Sequence, residues 1–365
     1  MRAIKKILIA NRSEIAIRIS RAATELGYKT VSIYSYEDRF ALHRFKTDES
    51  YLVGSGLGPI QAYLDYKGIV QIALNSGCDA IHPGYGFLSE NPEFADECAK
   101  HNILFVGPSS KIMRSLGNKV EAKKTADKAK VPTIPSTGPL PRDIKKCKVL
   151  AKKIGYPIML KASWGGGGRG MRVILKENEL ENQINTARRE AKSAFGKDDV
   201  FFEKLIEKAF HVEVQIIGDT HGNIVHLFER DCSLQRRHQK VVERAPAAYL
   251  SDKEREAICQ AGVRIGKQVD YSCAGTVEFL MDAKSREFFF IEVNPRVQVE
   301  HTVTEEITGI DIVKAQFLLA SGAKIGDGIC GVPEQQDIKM KGHAIQSRVT
   351  TEDAANDFAP DYGKI

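Results

Sequence analysis

Residues 275–305 read GTVEFLMDAKSREFFFIEVNPRVQVEHTVTE and carry the clearest indication of fold in the chain. Two apolar runs, 276–282 and 287–294, flank a short polar turn, which is the pattern of an antiparallel β-hairpin. Glu278 and Glu292 face each other across this hairpin if the turn holds an odd number of residues or a bulge. The stretch therefore predicts a hairpin that carries two carboxylates on one face.

Two carboxylates on one face repel each other, so the predicted pair needs a cation. Asn294 lies two residues after Glu292 and points to the same side of the strand. Carboxylate and amide oxygens suit Mg²⁺ or Mn²⁺ that bridges nucleotide phosphates, so we interpret Glu278, Glu292 and Asn294 as metal ligands. The alternative is a pair of solvated strand glutamates, which the apolar neighbours Val277 and Val293 disfavour.

Arg296, Gln298 and Glu300 alternate directly after these residues, so an extended segment presents all three on one face. A cation, an amide and a carboxylate together can bind a small planar oxyanion and take its proton. A surface strand can show the same alternation by chance. The position next to the predicted metal ligands favours the oxyanion site.

Upstream, residues 161–172 read KASWGGGGRGMR and place a glycine run directly after a predicted strand. Glycine destabilises ordered elements, so we expect a hairpin flap whose backbone N–H groups close around phosphate oxygens. Lys161 is expected to reach the same phosphates. The run is not a Walker A loop, because no GK[ST] follows it. A flexible surface turn is the alternative.

Residues 228–246, FERDCSLQRRHQKVVERAP, are dense in basic and amide side chains. A solvated charged face and an RNA-binding patch are the alternatives to anion binding near phosphates. Phe228 is the one aromatic residue of the stretch, so base stacking is poorly supported and anion binding is preferred.

The first hundred residues alternate strand and helix patterns, from the apolar run KILIA at 6–10 to a strand at 103–106. This βαβ rhythm predicts a doubly wound parallel sheet with ligands at the strand carboxyl ends. The first strand-to-helix turn, IANRSE, lacks GxGxxG, so a dinucleotide fingerprint is absent.

Composition places the chain among ordinary globular proteins and excludes several classes. The 365 residues carry a net charge of +6, from 53 basic and 47 acidic residues, with both signs interleaved. The seven cysteines are scattered without a CxxC pair, which argues against disulfides or a zinc site. No apolar run approaches a membrane span or a signal peptide, and we expect a cytoplasmic protein without nucleic-acid or membrane partners.

Together these segments resemble the biotin carboxylase part of the ATP-grasp superfamily. The resemblance covers the chain from end to end and rests on residues 10–18, 82–91, 161–172, 226–246, 275–279 and 291–305. Three further segments resemble pyruvate carboxylases more than acetyl-CoA carboxylase subunits: residues 162–164, residues 58–60 with 63–65, and residues 348–353.

The resemblance implies an α/β fold with α+β character in its later domains. A Rossmann-like N-terminal domain precedes an ATP-grasp fold with a glycine-rich lid, and we expect the chain to end within the third domain. The implied divisions are an N-terminal domain at 1–117, a linker helix at 118–133, a lid domain at 134–206 and a catalytic C domain at 207–365.

The resemblance also implies roles for individual residues. The implied ATP contacts on phosphates or ribose are Lys119, Lys161, His211, Gln235 and His238, with Gly165, Gly166, Gly167 and Gly168 above them. The implied adenine contacts are Glu203, Lys204, Leu205, Met171, Leu280 and Ile291, and the implied metal ligands are Glu278, Glu292 and Asn294. Bicarbonate is assigned to Lys240, Arg296, Gln298 and the Val299 backbone, with Glu300 as its general base. Arg348 is assigned to the biotin enolate, and Arg296 also to the charged intermediates.

The implied activity is ATP- and bicarbonate-dependent carboxylation of biotin through carboxyphosphate. Biotin is expected on a carrier and not on this chain, Mg²⁺ or Mn²⁺ is expected as the metal, and the full-length protein is expected to be a homo-oligomer. The alternatives are a biotin carboxylase subunit of an acyl-CoA carboxylase, a non-catalytic nucleotide-binding remnant, and another ATP-grasp ligase. The segment from Arg296 to His301 argues against the last of these.

Overall fold

The computed structural model describes residues 1–163, 171–237 and 239–361, and for residues 119, 120, 194, 195 and 360 it describes the backbone alone. Several predicted ATP contacts therefore lie outside the described residues. They are Gly165, Gly166, Gly167, Gly168 and His238, together with the side chain of Lys119. The predicted flap stays a prediction for the same reason.

The N-terminal part is built on a parallel sheet, as the βαβ rhythm predicts. Its central strand is apolar at residues 7–9 because both faces are covered there: Ile7 and Ile9 pack in one core, and Leu8 packs in another. The described strands, in the sheet order β3-β2-β1-β4-β5, are β1 Lys6–Ile9, β2 Lys29–Tyr34, β3 Glu49–Leu52, β4 Ala80–His82 and β5 Leu104–Phe105. The helices are α1 Ser13–Glu25, α2 Pro59–Leu64, α3 Tyr66–Asn75, α4 Pro92–Lys100 and α5 Ser110–Gly117.

The strand order reverses between β1 and β4, and ligands of doubly wound sheets bind at such a point. Asn11 follows β1 and closes this crevice from one side. Its Nδ2 donates to the carbonyl oxygens of Pro83 at 2.7 Å and Tyr85 at 2.8 Å. The loop after β4 is therefore fixed with Tyr85 at the mouth of the crevice.

A helix and a small layered unit follow. They are α6 Lys119–Lys128, α7 Ile144–Ile154, β6 Ile158–Ala162, β7 Arg172–Ile174, α8 Leu180–Phe195 and β8 Val200–Lys204. The described strands pair antiparallel in the order β7-β6-β8, and α7 and α8 cover one face of them. Leu160 and Phe202 lie fully buried under these helices.

The largest described sheet is antiparallel, in the order β13-β12-β9-β10-β11-β14. Its strands are β9 Ala209–Gly218, β10 Ile224–Arg236, β11 Gln239–Ala245, β12 Cys273–Asp282, β13 Phe288–Asn294 and β14 Ala344–Ser347. The remaining elements are α9 Asp252–Gln268, α10 His301–Thr308, α11 Ile312–Ala320 and a short pair of strands, β15 Glu352–Asp353 and β16 Ala359–Pro360. On β9, Val212, Val214 and Ile216 pack in the core beneath α9, so the alternate residues face the opposite side.

Residues 132–137 run between the last two sheets and pair with both. The Phe290 N–H donates to the Pro132 oxygen at 2.8 Å, and the Lys204 N–H donates to the Pro135 oxygen at 2.8 Å. Thr137 also donates its N–H to the Phe202 oxygen at 2.8 Å. This segment therefore ties the small sheet to the large one.

The extended segment that we expected after Asn294 does not form. The Arg296 N–H donates back to the Asn294 oxygen at 2.9 Å, and α10 begins at His301, so residues 295–300 turn instead of continuing the strand. Pro295 explains the break, because proline has no N–H for the sheet ladder.

Within the described ranges, no helix has both the length and the apolar character that crossing a bilayer requires.

Candidate active site

A cavity of about 550 Å³ opens between the polar face of the large sheet, β6 and the loop after β4. Most of the predicted site residues line it: Lys161, Met171, His211, Gln235, Lys240, Glu278, Leu280, Ile291, Glu292, Asn294, Arg296, Gln298, Val299, Glu300 and Arg348. Three further lining residues were not predicted: Tyr85, Gly86 and Gln239. The structure therefore brings residues from distant parts of the sequence to one site.

The hairpin of β12 and β13 places the predicted metal ligands together. Glu278 and Glu292 are direct cross-strand partners, and a β-bulge follows Glu278. The prediction that the two carboxylates face each other required either such a bulge or an odd number of residues in the turn. Asn294 donates its Nδ2 to Glu278 Oε1 at 2.8 Å, and its Oδ1 accepts from Arg296 Nη2 at 3.0 Å. Two carboxylates and an amide oxygen on one cavity wall are a donor set that fits Mg²⁺ or Mn²⁺.

The Lys240 ammonium is the centre of charge at the base of the cavity. Its Nζ lies 2.5 Å from Glu213 Oε2, 2.9 Å from Glu278 Oε1 and 2.7 Å from Glu300 Oε1. Burial alone would lower the pKa of Lys240, but the three carboxylates outweigh burial and hold this pKa well above its usual value. Lys240 therefore stays protonated and keeps three buried carboxylates together.

The same cluster keeps two of these carboxylates, Glu278 and Glu213, ionised. Burial would raise the pKa of Glu278, but Lys240 and His211 reverse that effect and the pKa lies well below the usual value. For Glu213, burial is likewise outweighed, by Lys240 and Arg230, and its pKa falls to about 2. The cavity base is therefore a fixed pattern of full charges at neutral pH.

Arg230 supports this cluster from inside the protein, where it is fully buried. Each of its five N–H groups is used by a side chain, within 3.0 Å. The partners are Glu213 and Gln215 on β9, Thr276 on β12, Gln298 in the turn and Thr304 on α10. One guanidinium therefore fixes two strands, the turn and a helix relative to one another.

Glu300 ends the turn that leads into α10, and it is 2% exposed. Beyond its contact with Lys240, its Oε2 accepts a hydrogen bond from Arg348 Nη2 at 3.0 Å. The Nε of Arg348 donates to Glu243 Oε1 at 2.6 Å, and Glu243 is a fully buried residue of β11. Glu300 is therefore a buried carboxylate held in one orientation between two cations at the cavity wall.

His211 lies on the other side of Glu278, with its Nε2 3.0 Å from Glu278 Oε2. Burial opposes the charged form of this imidazole, but the Glu278 carboxylate outweighs burial and raises the pKa of His211. The N-terminal part contributes through Glu90, whose Oε1 lies 2.5 Å from Arg296 Nε. Arg296 thus joins the two large parts of the protein across the cavity.

The predicted adenine contacts do not all lie at the main cavity. Glu203 is buried on β8 and forms a short ion pair with Lys161 at the cavity wall. Lys204 and Leu205 instead line a neighbouring cavity of about 760 Å³, beside the 132–137 segment and the turn after β12. Met171, Leu280 and Ile291 share the main cavity, as their assignment to one ring requires.

Sequence reasoning missed Glu213, Glu243 and the central role of Arg230. A signal for the first was present, because residues 211–215, HVEVQ, alternate polar and apolar side chains within a strand otherwise rich in apolar residues. That alternation places His211, Glu213 and Gln215 on one face. Glu243 has no comparable signal, since its partner Arg348 lies over a hundred residues away.

Comparison with known proteins gives two matching family models. Residues 3–113 match the biotin carboxylase N-terminal domain, and residues 118–327 match the ATP-binding domain of the carbamoyl-phosphate synthase L chain. The pyruvate carboxylase of Bacillus subtilis (strain 168) is 56% identical over 99% of this chain and 31% of its own length. The chain thus spans about a third of the length of the curated relatives it matches.

Solved structures of carboxylases also match almost the whole chain. A pyruvate carboxylase of Rhizobium etli with acetyl coenzyme A is 60% identical, with a TM-score of 0.93 over 99% of this chain and 32% of its own. The biotin carboxylase domain dimer of Hydrogenobacter thermophilus 2-oxoglutarate carboxylase, in complex with MgADP, ADP and bicarbonate, is 45% identical. Its TM-score is 0.92 over 99% of this chain and 78% of that domain. The fold, the charged cavity and these matches together show that the chain belongs to the biotin carboxylase family.

Proposed function

We propose that this protein is an ATP-dependent ligase that carboxylates biotin with bicarbonate through carboxyphosphate. The observation that carries the proposal is Glu300, a buried carboxylate held between Lys240 and Arg348 at the wall of a cavity that also holds the Glu278 and Glu292 pair. Proton removal and phosphate handling are thereby brought within one site. The family match and the ligands named for the Hydrogenobacter relative support the same reaction.

In the proposed reaction, ATP occupies the part of the cavity lined by β6, β9 and the β12–β13 hairpin. Lys161, His211 and Gln235 contact its phosphates or ribose, and Met171, Leu280 and Ile291 enclose its ring. Glu203, Lys204 and Leu205 read the adenine edge, partly through backbone groups, although the side chains of Lys204 and Leu205 line the neighbouring cavity. Lys119, His238 and the glycine run complete the contacts. Phosphoryl transfer depends mainly on positioning and charge neutralisation, which these cations supply.

Bicarbonate is proposed to bind beside Glu300, held by Lys240, Arg296, Gln298 and the Val299 backbone. Glu300 takes the bicarbonate proton, and the resulting oxygen attacks the γ-phosphorus of ATP while the bond to ADP breaks. The product, carboxyphosphate, separates into CO₂ and phosphate. The phosphate then takes the ureido proton of biotin, Arg348 stabilises the biotin enolate, and the enolate attacks CO₂.

Glu278, Glu292 and Asn294 would hold Mg²⁺ or Mn²⁺, and the ion supplies neutralisation of phosphate charge when it is bound. Within the chain itself, Glu278 is prepared for that role because Lys240, Asn294 and Gln298 all donate to its Oε1, at 2.8–3.0 Å. These donors fix the carboxylate in one orientation on the cavity wall.

We further propose that the acceptor after biotin is pyruvate, which becomes oxaloacetate. The 60% and 56% identity to pyruvate carboxylases, against 45% to the 2-oxoglutarate carboxylase, supports this choice. Biotin is proposed to arrive on a carrier, and the protein to be cytoplasmic and homo-oligomeric, as the dimeric Hydrogenobacter domain suggests. The domain boundaries 1–117, 118–133, 134–206 and 207–365 also remain predictions.

The proposed function is tested by measuring ADP release with ATP, Mg²⁺, bicarbonate and free biotin. We expect hydrolysis that requires bicarbonate and increases with biotin, because carboxyphosphate forms only after bicarbonate is bound and biotin consumes its CO₂. Omission of each component in turn is the control. ATP hydrolysis that is indifferent to bicarbonate would contradict the proposal.

The metal assignment gives a separate prediction. Replacing Glu292 with glutamine should raise the Mg²⁺ concentration for half-maximal activity by about tenfold or more, because one of the two facing carboxylates loses its charge. The measurement is a Mg²⁺ titration of ATP hydrolysis at saturating ATP. Glu287→Gln is the matched control, since Glu287 is exposed on the turn before the same strand. An unchanged Mg²⁺ requirement in Glu292→Gln would exclude Glu292 as a ligand.

A further inference from the structure

Glu203 is a buried carboxylate with an ammonium group at each oxygen. Its Oε1 lies 2.7 Å from Lys123 Nζ, and its Oε2 forms the short pair with Lys161. Only 4% of the residue is exposed, so solvent does not compensate its charge. Burial would raise the pKa of Glu203, but the two lysines outweigh burial and lower it. Glu203 is therefore ionised, and it depends on these two cations.

The two lysines face different spaces. Lys161 lines the main cavity, together with His211 and Gln235. Lys123 lines a separate cavity of about 160 Å³, together with Ser163 and Phe201. Of the two, Lys161 alone is placed to reach a ligand in the main cavity.

Lys123 is held firmly at its position on α6. Its Nζ donates to Ser136 Oγ at 2.8 Å and lies 5.2 Å from the centre of the Phe201 ring. Ser136 belongs to the 132–137 segment and bridges to Glu203 through the backbone. Lys123 is therefore held by α6 and the 132–137 segment in the position where it contacts Glu203.

These contacts determine how easily Lys161 can leave Glu203 to bind a ligand. If Lys161 turns from Glu203 to an anionic ligand, the buried carboxylate loses one of its two cations. A buried carboxylate without a cation is costly, so it would hold Lys161 back. With Lys123 in place, one cation remains on Glu203 after Lys161 moves.

We infer that Lys123 is a positioning residue for ATP binding, which neutralises Glu203 so that Lys161 is available to the nucleotide phosphates. The inference rests on the proposed function, because it needs an anionic nucleotide in the main cavity. It adds a residue that lines a different cavity and acts on ATP only through Glu203 and Lys161.

The test compares K123Q, which removes the charge but keeps a donor for Ser136, with K123R, which keeps the charge. ATP binding to the purified protein is measured with Mg²⁺ at equilibrium. We expect K123Q to bind ATP roughly tenfold more weakly or worse, as for the loss of one partner of a buried charge pair, and K123R to stay near the wild type. K124Q is the control, because Lys124 follows directly in the chain, is exposed and pairs with Glu121. Equal ATP affinity of K123Q and the wild type would overturn the inference.

A double substitution separates this role from long-range attraction between Lys123 and ATP. When Glu203 is replaced by glutamine, no buried charge is left for Lys123 to neutralise, so K123Q should add little to E203Q. An undiminished effect of K123Q in the E203Q background would overturn the inference. Absence of ATP binding by the wild type would overturn both the inference and the proposed function.

The pH dependence gives a readout that a purely structural role would not change. Without Lys123 the pKa of Glu203 is higher, so lowering the pH protonates Glu203 and releases Lys161. The defect of K123Q in ATP binding should therefore shrink as the pH is lowered, relative to the wild type at each pH. A defect that is independent of pH would contradict the role in neutralisation.

Discussion

Glu300→Gln is expected to slow bicarbonate-dependent ATP hydrolysis by about 100-fold or more, the usual range for the loss of a positioned general base. The glutamine side chain keeps the size of Glu300 but has no carboxylate to take a proton. The measurement is the turnover rate at saturating ATP and bicarbonate. Because the proposed reaction moves the proton before the γ-phosphate is attacked, we expect the loss in the turnover rate and not only in bicarbonate affinity.

Two controls make the Glu300 result interpretable. Glu306→Gln changes an exposed residue of α10, the helix that follows Glu300, and should leave the rate unchanged. Circular dichroism and ATP binding of Glu300→Gln should match the wild type, because the fold and the nucleotide contacts are retained. A loss of less than tenfold would contradict the assignment of Glu300 as the base.

Lys240→Met is expected to destabilise the protein by roughly 3–5 kcal/mol and to abolish measurable turnover, because it removes one partner of a buried ion cluster. Glu213, Glu278 and Glu300 would then face one another without their shared cation. Chemical denaturation at pH 7 measures the change in the free energy of unfolding. Lys284→Met, at an exposed lysine, is the control, and a loss below about 1 kcal/mol would exclude Lys240 as the centre of the cluster.

The sign of the pH dependence follows from the pKa shifts. The raised pKa of Lys240 contributes stability that is complete below about pH 10.4 and is lost above its folded value. The lowered pKa values of Glu278 and Glu213 contribute stability that is complete above about pH 4.3 and is lost as the pH falls. The cluster therefore stabilises the wild type fully at pH 5–8. In Lys240→Met the carboxylates take up protons more readily, so the stability gap from the wild type should narrow from pH 8 to pH 5.

The hairpin at 276–294 was predictable because its evidence is local. Alternation of apolar and charged residues set the faces of both strands, and the facing of Glu278 and Glu292 required only a bulge, which is present. The turn at 295–300 was not predicted, although Pro295 marks it. Alternating side chains can reach one cavity from a turn as well as from a strand. The alternation of Arg296, Gln298 and Glu300 therefore did not determine the backbone conformation.

The partners of the site residues were much less predictable than the residues themselves. Lys240 was expected to bind bicarbonate, and its contacts with three carboxylates, from β9, β12 and the turn before α10, were not foreseen. Such contacts arise when strands distant in sequence become neighbours, and periodicity within one strand contains no information about them. The same reason explains why Glu243 and Lys123 were overlooked.

Because all five N–H groups of Arg230 are used, this position limits which substitutions the sequence can accept during evolution. Its guanidinium satisfies acceptors on β9, β12, the turn and α10 at once, so any other side chain would leave several buried acceptors unsatisfied together. No single second substitution repairs that loss, because the acceptors lie on separate elements. Variation among descendants of this chain should therefore accumulate at the rim of the cavity and leave Arg230 unchanged.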